Sequence, residues 1–69
     1  MSIFSDRLRA FRKQTSFNQT DMAKELGLTF RSYRRYESGE TEPTLSALIK
    51  IADYFDVSLD YLAGRTDEV

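Results

Sequence analysis

The sequence predicts an all-α fold of five short helices. Apolar residues recur at three- and four-residue intervals along most of the chain, the period of an amphipathic helix. The breaks fall where helices stop and start: each of the three glycines follows the end of an apolar run, and the single proline stands at a beginning. No alternating apolar–polar stretch is long enough for a strand.

The first helix is expected from about Ile3 to Thr15. Phe4, Leu8 and Phe11 form one stripe, and Ser2 or Ser5 is the cap. Ser16 and Phe17 read as a connection. Asn18 caps the second helix, with Asp21 three residues on completing a variant capping box. Met22, Ala23 and Leu26 are its apolar side, and Gly27 stands where a left-handed residue ends it. Thr29 caps a third helix with Phe30, Tyr33 and Tyr36 as apolar positions, followed by Gly39. Pro43 and Thr44 open a fourth, whose expected apolar face is Leu45, Leu48, Ile49, Ala52 and Phe55. Ser58 caps a fifth, Leu59 to Ala63, closed by Gly64. Residues 1–65 are expected to be one domain, with a frayed tail from Thr66 to Val69.

Composition narrows the chemistry. At 69 residues the chain is one small domain. It has no Cys and no His, which leaves no disulfide framework, catalytic thiol, thiolate zinc site or imidazole base. No stretch without a charged side chain is longer than Gln14 to Thr20, far short of the ~18 residues of a membrane span. No apolar run near Met1 reads as an export signal, so a cytoplasmic location is expected. No phosphate loop or nucleophile–base arrangement can be read, so an enzyme is not expected. Neither a cofactor nor a small-molecule ligand is implied. Asp53 with Asp56, and Glu40 with Glu42, read as solvated acids. The fourth helix lacks the basic polar side of a membrane binder and reads as core.

Charge is polarised along the chain. Residues 1–37 hold eight bases and four acids, a net +4. Residues 38–69 hold two bases and seven acids, a net −5. This fits one face turned to a polyanion, and it also fits chance clustering on a solvated surface.

The informative stretch is Gln19 to Gly39. Two short helices meet at Gly27, and Ala23 is small enough for them to approach closely. That spacing describes a helix-turn-helix, in which the second helix enters the DNA major groove. The segment Gln19-Thr20-Asp21-Met22-Ala23-Lys24-Glu25-Leu26-Gly27-Leu28-Thr29 carries a resemblance, together with Tyr36-Glu37-Ser38-Gly39, Glu42-Pro43-Thr44-Leu45 and Val57-Ser58-Leu59-Asp60-Tyr61-Leu62. From about Phe4 to Gly64 the chain resembles the Cro/CI-type (XRE-family) helix-turn-helix domain of bacterial and phage repressors. The resemblance implies a compact, lambda-repressor-like bundle of five helices. It also implies sequence-specific binding of double-stranded DNA, usually as a homodimer on an inverted repeat, and usually repression.

Residue roles follow from the resemblance. Gln19 bonds a phosphate and supports a base contact. Phe30 and Arg31 occupy the first base-reading positions. A guanidinium there makes the bidentate guanine contact, worth about 1–3 kcal/mol of discrimination. Phe30 either presses a thymine methyl or packs on the protein. Ser32 reaches a phosphate or a base edge. Arg35, one turn beyond Arg31, reads further along the groove, and Arg34, rotated by about 100°, suits the DNA backbone. Asn18 and Thr29 are caps first and phosphate contacts second. Backbone N–H groups of Ser38, Gly39 and Thr41 are further phosphate donors. Arg12 and Glu37 match the family's pair joining the first helix to the end of the third, a structural role. Arg9 and Lys13 are exposed bases within reach of a phosphate.

Two departures from the family stand out. Tyr33 replaces a β-branched aliphatic residue, so either the reading helix is displaced or the ring swings toward DNA. Glu40 and Glu42 stand where several relatives carry bases, which predicts a shallower salt dependence. Tyr54, Leu59 and Tyr61 are peripheral core or a dimer contact. The alternative to DNA binding is a protein-interaction module, or an antitoxin-like protein, that uses its exposed aromatics to hold a partner.

Overall fold

The computed structural model describes residues 2–69. Its elements are α1 (Ile3–Lys13), α2 (Gln19–Leu26), α3 (Phe30–Ser38), α4 (Leu45–Phe55) and α5 (Leu59–Ala63), with no strand among the described residues. All five begin on a capping side chain, Ser2, Asn18, Thr29, Thr44 and Ser58 in turn. Each accepts a backbone N–H that the helix itself leaves unpaired. Both candidate caps of α1 are used: Ser2 Oγ accepts from the Ser5 N–H and Ser5 Oγ from the Ser2 N–H, at 3.1 and 3.0 Å. Asn18 Oδ1 accepts from the Asp21 N–H at 2.8 Å, but the return bond expected from Asp21 is not formed.

The ends differ from expectation at three places. α1 stops at Lys13, two residues early, because the Thr15 hydroxyl and N–H both take the Arg12 carbonyl, at 2.6 and 2.9 Å. α4 is rotated from its expected face. Leu45 is 70% exposed and Ile49 is also exposed, while Ala47, Ile51 and Ala52 are buried with Leu48 and Phe55 beside them. The first two residues of the expected tail, Thr66 and Asp67, contact α1. The Arg7 guanidinium donates to the carbonyls of Tyr61 and Thr66 (2.8 Å to the latter), meets the Asp67 carboxylate at 3.0 Å, and lies 3.9 Å from the centre of the Tyr61 ring.

The core joins Phe4 and Leu8 of α1, Met22, Ala23 and Leu26 of α2, Tyr33 and Tyr36 of α3, the buried face of α4, and Leu62 of α5. α3 packs on both α1 and α2, and α5 ties α1 to α4. Aromatic pairs close the edges. Phe11 stacks on Phe55 at 5.0 Å and meets Tyr61 edge-on at 6.0 Å. One face of α3 is thereby anchored on two helices, and the other is left to solvent.

Candidate nucleic-acid interface

The turn between α2 and α3 is set by Gly27, whose φ of +69° belongs to the left-handed region that side chains disfavour. There the Leu28 N–H donates to the Ala23 carbonyl at 2.9 Å, closing α2, and Ala23 is buried against the helix that follows. Thr29 then starts α3, its hydroxyl oxygen accepting the Ser32 N–H at 3.1 Å.

Along the outer side of α3, Phe30 is 46% exposed, and Arg31 and Arg34 are exposed with no acidic partner among the described residues. Ser32 and Arg35 are half-buried. Arg35 Nε lies 3.8 Å from the Glu40 carboxylate, a partly exposed pair worth little in water. A helix of nine residues is about 13 Å long, close to the ~12 Å width of a major groove.

Beneath this face lies a polar knot centred on Glu37, which is 3% exposed. Arg12 grips its carboxylate with two bonds, Nε to Oε2 at 2.6 Å and Nη2 to Oε1 at 3.1 Å. Gln19 Nε2 donates to Oε1 at 3.1 Å, and the Tyr33 hydroxyl donates to Oε2. Burial pushes the Glu37 carboxyl up, but the hydrogen bonds from Arg12, Tyr33 and Gln19 outweigh it, so the group sits below the ordinary carboxylate range. The bond to Glu37 raises Arg12 in turn, against the opposing effect of burial. Burial, then the bond to Glu37, pushes the Tyr33 phenol far above its usual value.

Of the two readings of Tyr33, this excludes the ring that swings toward DNA. Its ring is fully buried and points into the protein, where its hydroxyl has the partner it needs, so it neither faces outward nor leaves a polar atom orphaned. The helix-end donors need correction. The Gly39 N–H bonds back to the Tyr36 and Arg35 carbonyls, and the Ser38 N–H lies within the α3 ladder. Of the three expected backbone donors, only Thr41 has its N–H outside these bonds. The Ser38 hydroxyl is likewise held by the Arg35 carbonyl at 3.1 Å.

Between α1, α2 and α3 lies a recess of about 420 Å³ bordered by Arg9, Lys13, Gln19 and Arg34, with the Arg12–Glu37 pair at its floor. Arg9 is shared between Asp6 at 3.0 Å and the Glu37 carbonyl at 3.5 Å. Tyr54, in a recess it shares with Gly27 and Lys50, and Leu59 are exposed, whereas Tyr61 is held between Arg7 and Phe11. Sequence reasoning missed Arg7 and the tie between Gln19 and Glu37. Neither leaves a periodic signal, since their partners lie 54 and 18 residues away.

A left-handed turn between two short capped helices, with the second helix exposing guanidinium groups, defines a helix-turn-helix domain. The chain belongs to the helix-turn-helix family, whose model matches residues 8–62. It is 48% identical over 65 residues to the cryptic phage CTXphi transcriptional repressor RstR of Vibrio cholerae, across 91% of this chain and 58% of that one. It is 47% identical over 67 residues to the uncharacterized HTH-type transcriptional regulator YqaE of Bacillus subtilis, across 96% of this chain and 58% of the relative. The chain thus spans just under three-fifths of the length of these curated relatives. Among solved structures it is similar to the P22 c2 repressor in complex with a synthetic operator, with a TM-score of 0.79, 29% identity, and coverage of 90% of this chain and 94% of that one. The lambda-repressor-like bundle expected from the sequence is the fold observed. No helix among the described residues is long and apolar enough to cross a membrane.

Proposed function

We propose that the chain binds a specific sequence in double-stranded DNA and acts as a transcriptional repressor, α3 lying in the major groove. The observation that carries this is the two-sidedness of α3. Its inner side is locked by the Glu37 knot, and its outer side presents Phe30, Arg31 and Arg34 with no acidic partner among the described residues. The names of the relatives support the same reading: RstR is a transcriptional repressor, and the P22 c2 structure holds an operator.

In this account Arg31 makes the bidentate guanine contact, and Phe30, half-exposed at the helix start, meets a thymine methyl. Arg35 reads further along after leaving Glu40. Gln19, Asn18, Thr29, Ser32, Arg34 and the Thr41 N–H position the backbone. The working unit is a homodimer, with Tyr54, Leu59 and the rim of Tyr61 at the contact. A cytoplasmic location goes with this role.

Selection from random duplexes tests the reading. It should recover a short inverted repeat with half-sites about one helical turn apart. Arg31→Ala should relax one base position, and Gln19→Ala should weaken all sites more evenly. No enriched sequence at low salt, or indistinguishable effects of the two variants, would overturn the assignment. Solution molar mass with and without the recovered duplex reads the dimer.

A further inference from the structure

We propose that Tyr33 and Glu37 are positioning residues that lock the Gln19 amide with its nitrogen inward, so that one N–H and the carbonyl Oε1 are presented to DNA. The inference rests on the DNA-binding reading and deepens it. It starts from the orientation of the amide. A carboxylate accepts only, so the atom of Gln19 facing Glu37 is Nε2. One of its two N–H bonds is spent there, and neither the second N–H nor Oε1 has a protein partner among the described residues. Gln19 is half-buried at the first turn of α2, on the rim of the basic recess with Lys13 and Arg34.

Holding that orientation requires a carboxylate that cannot turn. Oε1 carries Arg12 Nη2 and Gln19, and Oε2 carries Arg12 Nε and the Tyr33 hydroxyl. Each oxygen therefore has two donors. Tyr33 stands one turn before Glu37 on α3, and its ring is immobilised in the core at zero exposure. It acts as a rod that fixes Oε2 and thereby directs Oε1 at Gln19. The bound amide is polarised by the carboxylate, which makes its Oε1 a stronger acceptor for an outside donor. Tyr33 touches no DNA, yet it conditions a residue that does.

The test combines two readouts on the whole chain. In wild-type protein the two Gln19 Nε2 protons should be widely separated by NMR and slow to exchange. In Tyr33→Phe, which keeps the ring, they should move toward the values of a free glutamine. Affinity for the duplex recovered by selection is then measured in a double-mutant cycle. Tyr33→Phe should weaken binding about three- to tenfold when Gln19 is present and leave it unchanged in a Gln19→Ala background. Its cost in thermal stability should persist in both backgrounds, a separation that a merely structural role would not produce. Equal losses of affinity in both backgrounds, or no loss in either, overturn the proposal. A wild-type Gln19 amide that already resembles a free one overturns it while leaving the DNA-binding reading intact. A locked amide in a protein that binds no duplex retains the clamp and overturns both the DNA-binding reading and the presentation of Gln19 to DNA.

Discussion

Replacing Glu37 with Gln keeps the shape of the side chain and exchanges one acceptor oxygen for an NH₂ group. Every donor on Glu37 is placed for a carboxylate: Arg12 Nε and the Tyr33 hydroxyl on Oε2, Arg12 Nη2 and Gln19 Nε2 on Oε1. Whichever way the new amide turns, its nitrogen faces two donors, one of them from Arg12. Two charge-assisted bonds are lost, about 1.5–3 kcal/mol each. Arg12, with only 16% of its side chain exposed, also loses its counter-charge. The expected total is about 3–6 kcal/mol, a fall in melting temperature of roughly 12–48 °C for a domain of this size. Urea unfolding at neutral pH, followed by helical circular dichroism, measures it. The acid limb gives a second reading. Because folding lowers the Glu37 pKa below its ordinary 4.5, its stabilisation is present above that pH and is lost as pH falls through the folded-state value. The wild type should therefore lose stability more steeply than Glu37→Gln in that range. A cost under about 1 kcal/mol, together with parallel acid limbs, would refute the reasoning that this carboxylate holds α3.

The alkaline side has the opposite sign. Folding raises the Tyr33 pKa, so its contribution is complete below 10.0 and declines as pH rises above it; Tyr33→Phe should flatten that decline in a pH series of unfolding curves. Gly64 has a φ of +86°, and a Cβ there would lie 3.0 Å from Ile3 Cγ2, whereas at Gly27 the nearest atom is Lys50 Nζ at 3.7 Å. Both Ala substitutions cost about 1 kcal/mol in left-handed strain, but Gly64→Ala should cost about 1 kcal/mol more, and equal costs would show that the clash is absorbed. Arg7→Ala should lower stability by about 1–2 kcal/mol and speed amide exchange at Arg65, with Arg7→Lys recovering only part, because one ammonium can serve the two carbonyls that share Nη1 but cannot also reach Asp67 as Nη2 does or lay a planar group on the Tyr61 ring.

What the sequence made legible, and what it hid, divides by range. Caps and left-handed ends are local, so Asn18, Thr29 and Ser58 were readable from residue type and spacing, as were Ser2 as one of two candidates, the opening of α4 at Pro43 and Thr44, and the turn at Gly27. The face of α4 was not, because its apolar residues nearly encircle it. Leu45 and Ile49 share a spacing of four with the pairs that are buried, and only the fuller set Ala47, Leu48, Ile51, Ala52 and Phe55 identifies the inner side. The Arg12–Glu37 pair came from family resemblance, and a partner for the Tyr33 hydroxyl was required by burial chemistry. That both meet on one carboxylate, with Gln19 as a fourth donor, depends on the packing of three helices and has no sequence period. The same holds for Arg7, whose carbonyl partners lie on the opposite end of the chain.

The central claim is that α3 meets DNA through the side turned away from the Glu37 knot. An NMR titration of the whole chain with the recovered duplex tests it most directly. The largest shifts should fall on Phe30, Arg31, Ser32 and Arg35, on Gln19, and on the Thr41 amide. Shifts concentrated on Tyr54, Leu59 and Tyr61, with α3 unmoved, would contradict it.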